Sequence, residues 1–72
     1  DILELEFVDG SKIIINKQEP AGQIWVAARA GGFHYGYDSR ADRWVNDHSG
    51  GELLTELSHL VSEQAGMPVD LT

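Results

Sequence analysis

Apolar and acidic residues alternate at the start of the chain. Within residues 2–8 the apolar positions share one side of an extended backbone and the glutamates share the other, which predicts a strand with one solvated face. The Asp9-Gly10 pair is typical of a hairpin turn, so residues 12–16 are predicted to return as the second strand. The apolar side consists of Leu3, Leu5 and Phe7, and the polar side of Glu4 and Glu6.

The register of this hairpin depends on which residues share an apolar face. A two-residue loop would place Phe7 opposite Lys12. A three-residue loop over residues 9–11, with Gly10 at positive φ, places Phe7 opposite Ile13 and keeps one face apolar. We therefore predict the three-residue loop.

Three further strands follow. Pro20 has no backbone donor and therefore separates the second strand from a third at residues 23–28. The Gly31-Gly32 pair is predicted to turn the chain into an aromatic strand over residues 33–37, whose aromatic side chains face the core. After a polar loop, a short fifth strand is predicted at residues 44–46.

The segment from residue 49 onward has helical periodicity. Ser49 and Glu52 match a capping box, in which the serine accepts a backbone hydrogen bond and the glutamate reaches back. Gly66 and Pro68 mark the end of the helix. The predicted buried arc comprises Leu53, Leu54, Leu57, Leu60, Val61 and Ala65, and the predicted solvated arc comprises Glu52, Glu56, His59 and Glu63.

Five antiparallel strands followed by one helix indicate an α+β fold with the helix packed on one face of a twisted sheet. A five-stranded sheet is about 24 Å wide, whereas a helix covers about 10 Å. One helix therefore leaves much of the apolar face open. We expect residues 1–72 to be a single, N-terminally incomplete domain with a second helix encoded upstream of Asp1.

The chain is acidic: its 72 residues include 12 acidic and 5 basic side chains, for a formal charge of −7. This charge repels nucleic acid and anionic membranes and favours cations and basic protein surfaces as partners. The longest apolar run, residues 24–28, is far shorter than the ~20 residues that span a bilayer, and no signal or transit segment is recognisable. Because the chain lacks cysteine, neither a disulfide nor a thiolate metal site is expected.

Sequence motifs for catalysis are missing. The chain has no nucleophile elbow, no phosphate-binding glycine loop and no His-Glu-x-x-His pair. Glu56 and His59 match the Glu-x-x-His spacing of di-iron bundles, but that chemistry requires a second pair and two further inward glutamates. The simpler interpretation is a solvated helix face. We therefore do not expect an enzyme.

Carboxylates on the predicted outer sheet face form a candidate metal site. Oxygen ligands of this kind suit hard cations. Glu4, Glu6 and Asp9 gather on that face and at its hairpin tip, where they are predicted to bind a metal ion weakly. The alternative interpretation is ordinary solubilising charge.

The outer sheet face also carries an unusual tryptophan. Alternation places Trp25 there beside Asn16, Gln18 and Gln23, with His34 nearby. An aromatic residue among amides is typical of protein-binding surfaces, because aromatic residues dominate binding energies. The alternative interpretation is a tryptophan that is half covered by a neighbouring side chain.

Residues 16–27, with the sequence Asn-Lys-Gln-Glu-Pro-Ala-Gly-Gln-Ile-Trp-Val-Ala, resemble the central motif of the frataxin family, including its bacterial, CyaY-type members. Residues 31–35, Gly-Gly-Phe-His-Tyr, resemble the bacterial form of the next strand. Trp44 and the approach to the leucine-rich helix at residues 47–50 are also similar. The resemblance covers nearly the whole chain.

The resemblance implies a frataxin-like α-β sandwich with two helices on one sheet face. Of the family's elements, this chain is expected to contain the C-terminal helix and to lack the N-terminal helix and the first strand. It implies a cytoplasmic, non-enzymatic protein of iron–sulfur cluster assembly, without a small-molecule substrate. Such a protein binds ferrous or ferric iron weakly and docks on cysteine desulfurase and the scaffold protein as a regulator or iron donor. The alternatives are a ferroxidase or iron-detoxifying protein and a plain protein-interaction module without an iron role. The family's partner contacts map onto Asn16, Gln18, Pro20, Gln23, Trp25 and His34.

Overall fold

The computed structural model describes residues 2–72 as five strands followed by one helix. Each strand is antiparallel to its neighbour, and the order across the sheet follows the chain. The predicted α+β arrangement is confirmed. Within residues 2–72, the helix is too short and too polar to cross a membrane. The elements are β1 (Ile2–Glu6), β2 (Lys12–Gln18), β3 (Gln23–Ala28), β4 (Gly31–Asp38), β5 (Arg43–Asn46) and α1 (Leu53–Ala65).

The first hairpin has the predicted loop length but a different register. Leu5, and not Phe7, lies opposite Ile13. The Phe7 N–H donates to the Ser11 carbonyl and the Gly10 N–H to the Phe7 carbonyl, at 2.9 Å each, so the loop is residues 8–10. In this loop type a tight turn precedes a residue at positive φ, which must be the third loop residue. Gly10, at φ +87°, is that residue, and placing it second in the loop shifted the predicted pairing by two positions.

The second correction concerns the turn between β3 and β4. Ala28 pairs with Gly31, so the turn consists of residues 29–30, and Gly31 and Gly32 already belong to β4. Within β4, Tyr35 is fully buried but Tyr37 is 49% exposed, although both were predicted to face the core. Tyr37 lies near the far end of the strand, where its hydroxyl donates to Asp42. The predicted aromatic face is therefore buried only at its centre.

The core lies between the inner face of the sheet and α1. Its fully packed residues come in equal numbers from the two layers, because β2, β3 and β4 each contribute one residue and α1 contributes three. Leu54, which was predicted to be buried, is exposed, and Leu3 at the start of β1 is 57% exposed. The helix thus covers the centre of the apolar face and leaves its β1 end open. The core residues are Ile13, Val26, Tyr35, Leu53, Leu57 and Val61.

The N-terminus of α1 is capped differently from the predicted capping box. Glu52 is the cap residue, and its carboxylate accepts from the backbone N–H groups of Leu54 and Thr55 at 2.8 and 3.0 Å. These bonds satisfy two of the donors that a helix start leaves free, and they lower the pKa of Glu52. Ser49 lies outside the helix. The C-terminal prediction is confirmed, since Gly66 ends the helix at φ +71°.

Glu56 was predicted to face solvent, but it connects the helix to the sheet. Its carboxylate accepts hydrogen bonds from Tyr35 Oη at 2.6 Å, Asn46 Nδ2 at 2.8 Å and Ser49 Oγ at 2.7 Å. Tyr35 and Asn46 are buried, so Glu56 supplies the acceptor that their donors require. Gly51 leaves room for this side chain, because a Cβ there would lie 2.0 Å from Glu56 Oε2. Helical periodicity alone does not show which polar residue meets donors from the sheet.

Gln64 makes a second polar connection at the other end of α1. Its amide oxygen accepts from the Arg29 N–H at 3.0 Å, and its amide nitrogen donates to Ser11 Oγ at 3.0 Å and to the Lys12 carbonyl at 3.2 Å. The side chain is buried. It therefore links the helix to the turns at the ends of two hairpins.

Replacing Glu56 by alanine is expected to destabilise the fold by about 1–3 kcal/mol, because the buried donors of Tyr35 and Asn46 would lose their acceptor. Urea unfolding followed by circular dichroism measures this change. Glu63→Ala, on the exposed side of the same helix, is the matched control and is expected to lie within about 0.5 kcal/mol of the wild type. Equal losses in the two variants would contradict the connecting role of Glu56.

Glu56 also makes stability depend on pH. Burial raises its pKa, but the hydrogen bonds from Ser49, Tyr35 and Asn46 lower it more, so the net pKa lies below 4.5. Because the native-state pKa is depressed, the charged form stabilises the fold above pH 4.5, and this stabilisation is lost as the pH falls through the native value. The stability difference between the wild type and Glu56→Gln should therefore narrow when unfolding is measured in increasingly acidic buffer. A difference that stays constant in acid would contradict this.

Candidate protein-binding surface

The sheet places the predicted outer residues in one patch, here called the binding face: Asn16, Gln18, Gln23, Trp25 and His34. Asn16 pairs with Trp25, and Trp25 pairs with His34, so these three side chains form a row across β2, β3 and β4. Gln18 pairs with Gln23 at the next outward position. The residues on either side of Trp25 in sequence point the other way, and Val26 is buried. The predicted grouping is present in the structure.

Trp25 is held in place while 38% exposed. Its ring stacks on the His34 ring, with the centroids 4.6 Å apart and the planes 25° apart. Its indole Nε1 donates to Gln23 Oε1 at 2.8 Å. The ring is therefore half covered, because His34 lies against one side while the rest remains accessible, and the protein-binding interpretation stays a prediction.

A shallow depression of about 210 Å³ adjoins the tryptophan. Ile14 and Ala27 form part of its lining, together with Gly32. Pro20, the remaining predicted contact, lies in the exposed turn after β2, where the Gly22 N–H donates to the Glu19 carbonyl at 3.1 Å. Pro20 thus sits at the end of the binding face and outside its row of paired residues.

Sequence reasoning missed a cleft on the far side of His34. This cleft of about 400 Å³ is lined by parts of β4, the segment after β5 and α1. All three histidines of the chain line it: His34, His48 and His59. Asp47 also lines it, with its Oδ2 3.8 Å from His34 Nδ1. No spacing rule indicates this cleft, because the three histidines belong to separate elements.

Two of the three predicted metal-binding carboxylates, Glu4 and Asp9, already have partners. Glu4 forms an ion pair with Lys12 at 3.1 Å, and this contact with Glu4, helped by the nearby charge of Glu6, raises the pKa of Lys12. Asp9 accepts hydrogen bonds from the Ser11 hydroxyl and N–H and forms an ion pair with Arg29 at 3.0 Å. These contacts, led by the Ser11 hydroxyl, lower the pKa of Asp9.

The three carboxylates do not converge on one point. Within residues 2–72, no three histidine, cysteine, aspartate or glutamate side chains lie close enough together to form a metal site. Glu4 is about half exposed, with 48% of its side chain accessible, and its ion pair with Lys12 is open to solvent. Any cation that binds there competes with Lys12 and keeps water ligands.

Comparison with known proteins identifies the family. Residues 1–67 match the frataxin-like domain. The chain belongs to the frataxin family. It is 58% identical over 66 residues to the iron-sulfur cluster assembly protein CyaY of Cupriavidus taiwanensis, covering 92% of this chain and 58% of that protein. It is 54% identical over 71 residues to the CyaY of Cupriavidus necator, covering 99% of this chain and 62% of that protein.

The fold agrees with a solved frataxin. The frataxin of Psychromonas ingrahamii, of the CyaY protein family, superimposes with a TM-score of 0.87 at 42% sequence identity, covering 99% of this chain and 66% of that chain. The sequence-based assignment to the frataxin family and to its fold is therefore confirmed. This chain spans about 60% of the length of the curated relatives that it matches.

The two tryptophans of this frataxin chain are expected to respond differently to truncation. Trp25→Ala should cost less than about 1.5 kcal/mol of unfolding free energy, because an exposed ring leaves little cavity. Trp44→Ala should cost about 2 kcal/mol or more, since Trp44 is half-buried against the core and contacts Tyr37 at a centroid distance of 5.3 Å. Chemical unfolding of both variants tests this. A larger loss for Trp25→Ala would show that Trp25 is mainly structural.

Proposed function

We propose that this frataxin chain serves iron–sulfur cluster assembly by docking on cysteine desulfurase and its scaffold protein through the binding face, and that it binds iron weakly as a regulator or iron donor. Membership of the frataxin family and similarity to the iron-sulfur cluster assembly proteins CyaY support the role in assembly. The observation that supports docking is the exposed, immobilised Trp25.

Trp25 has the physical properties of a binding anchor. Aromatic residues in the centre of an interface contribute most of its binding energy. The His34 stack and the Gln23 hydrogen bond fix the Trp25 ring before any partner arrives. Less side-chain entropy is then lost on binding. Asn16 and Gln18 provide amide groups beside the ring that can both donate and accept hydrogen bonds.

The charge of the chain suits a basic partner surface. A net charge of −7 attracts positive patches over several ångströms and accelerates encounter. The acidic side chains of β1 and the hairpin lie on the same sheet as Trp25, so both contribute to one docking surface. The anchor then supplies the short-range energy, while the charge orients the approach.

Iron is the cargo in this proposal, and the chain binds it without enclosing it. Glu4 and Glu6 are hard oxygen donors on the solvated face of β1, which suits ferrous and ferric ions. Asp9 contributes when its contact with Arg29 opens. Such a site holds iron loosely enough to release it to a partner. The role is non-enzymatic, so iron-dependent oxygen consumption by the full-length protein should equal that of a buffer control.

Trp25→Ala in the full-length protein is expected to weaken binding to the desulfurase–scaffold assembly by about 30-fold. This factor corresponds to a loss of about 2 kcal/mol of binding free energy, the usual cost of truncating an aromatic hot spot. Isothermal titration calorimetry of the folded variant measures this effect. Met67→Ala removes another exposed apolar side chain, away from the binding face, and should leave the affinity unchanged. Unchanged affinity in Trp25→Ala would exclude the anchor role.

An NMR titration with ferrous or cobaltous ion tests the iron site. Resonances of Glu4, Glu6 and Asp9 should broaden before those of the helix. Lys12→Ala should tighten binding a few-fold, because it removes the cation that competes for Glu4. Lys17→Ala, which removes a lysine paired with Glu19 instead, is the charge-matched control. Earlier broadening around Glu56, His59 and Glu63 would place the iron elsewhere.

A further inference from the structure

His34 lies between two groups that the sequence does not connect. One face of its ring stacks on Trp25 of β3, at a centroid distance of 4.6 Å. Its Nδ1 lies 3.8 Å from Asp47 Oδ2 in the segment after β5, where the Asp47 N–H also donates to the His34 carbonyl at 3.0 Å. Asp47, His34 and Trp25 therefore form a continuous series of contacts from the cleft to the binding face.

The outward positions around His34 carry no side chain that could support the Trp25 ring in its place. The outward positions two residues before and after His34 in β4 are Gly32 and Gly36, which have no side chains. On β3, the outward neighbour of Trp25 toward the depression is Ala27, which is small. His34 is thus the lateral support that β4 offers to the indole ring. Without it, the ring could turn into the adjoining depression.

We infer that Asp47 and His34 are positioning residues, which hold the Trp25 ring in the orientation that a protein partner contacts. Asp47 acts through His34 and does not touch the tryptophan. The effect on ring position is independent of any partner. Its consequence for docking rests on the proposed function of the binding face.

The test observes Trp25 directly, in a Trp44→Phe background of the full-length protein that leaves Trp25 as the tryptophan contributed by residues 1–72. Any further tryptophan outside these residues is also replaced by phenylalanine. The ¹⁵N relaxation of the Trp25 indole reports ring order. Asp47→Asn should lower the indole order parameter, and His34→Ala, which removes the stacked ring, should lower it further.

Two control variants separate positioning from general effects. Glu63→Gln removes the same charge from an exposed position on α1, and His59→Gln removes another histidine of the cleft. Both should retain the indole order of the parent protein. If Asp47→Asn also retains it, or if His59→Gln lowers it as much as Asp47→Asn does, the inference is wrong.

Partner binding is measured separately. Asp47→Asn should weaken binding to the desulfurase–scaffold assembly by about two- to fivefold, as expected for the loss of a solvent-exposed polar contact. A variant with a mobile indole and full affinity would refute the docking role of Trp25 and leave the positioning inference standing. A variant with an unchanged indole refutes the positioning inference whatever its affinity.

Discussion

The carboxylate of Glu56 determines how the helix sits on the sheet. It accepts hydrogen bonds from β4, from β5 and from the loop before α1, through Tyr35, Asn46 and Ser49. These three donors lie in different elements, so satisfying all of them allows few helix orientations. In the observed orientation of α1, Leu53, Leu57 and Val61 pack against the sheet. Losing Glu56 would leave buried donors without an acceptor, which costs more than an ordinary surface contact contributes.

Because α1 packs on the inner face of the sheet, the outer face is available for binding a partner. Because α1 covers the inner side of β2, β3 and β4, the outward residues of the same strands need not contribute to the core. Trp25 is exposed for this reason, and two neighbours support its ring. His34 stacks on one side, and Gln23 accepts a hydrogen bond from the indole edge. The carboxylates of β1 and of the hairpin after it likewise lie outside the core, where Glu4 and Asp9 form solvent-open ion pairs. Structural and recognition tasks are thus divided between the two faces of one sheet.

The candidate site was largely predictable, since strand periodicity assigns each residue to a face. The grouping of Asn16, Gln18, Gln23 and Trp25 follows from alternation and survives the register error in the first hairpin. That error shifted the pairing by two residues, and a shift of two keeps every side chain on its face. The partners of these residues were not predictable. The stack of His34 on Trp25 and the ion pair of Asp9 with Arg29 depend on rotamers and on distant turns.

The sequence by itself determined the order of the elements, the inner and outer faces of the first four strands and the family. These are local properties, set by side-chain periodicity, by turn residues and by motifs of a few positions. The tertiary structure alone decided which polar residues have structural partners. Glu56 and Glu63 look equivalent along the chain, yet one bridges two strands and the other faces solvent. Likewise, three histidines that are far apart in sequence meet at one cleft. These contacts form where the helix crosses the sheet. Sequence periodicity does not indicate hydrogen-bond partners that belong to other elements.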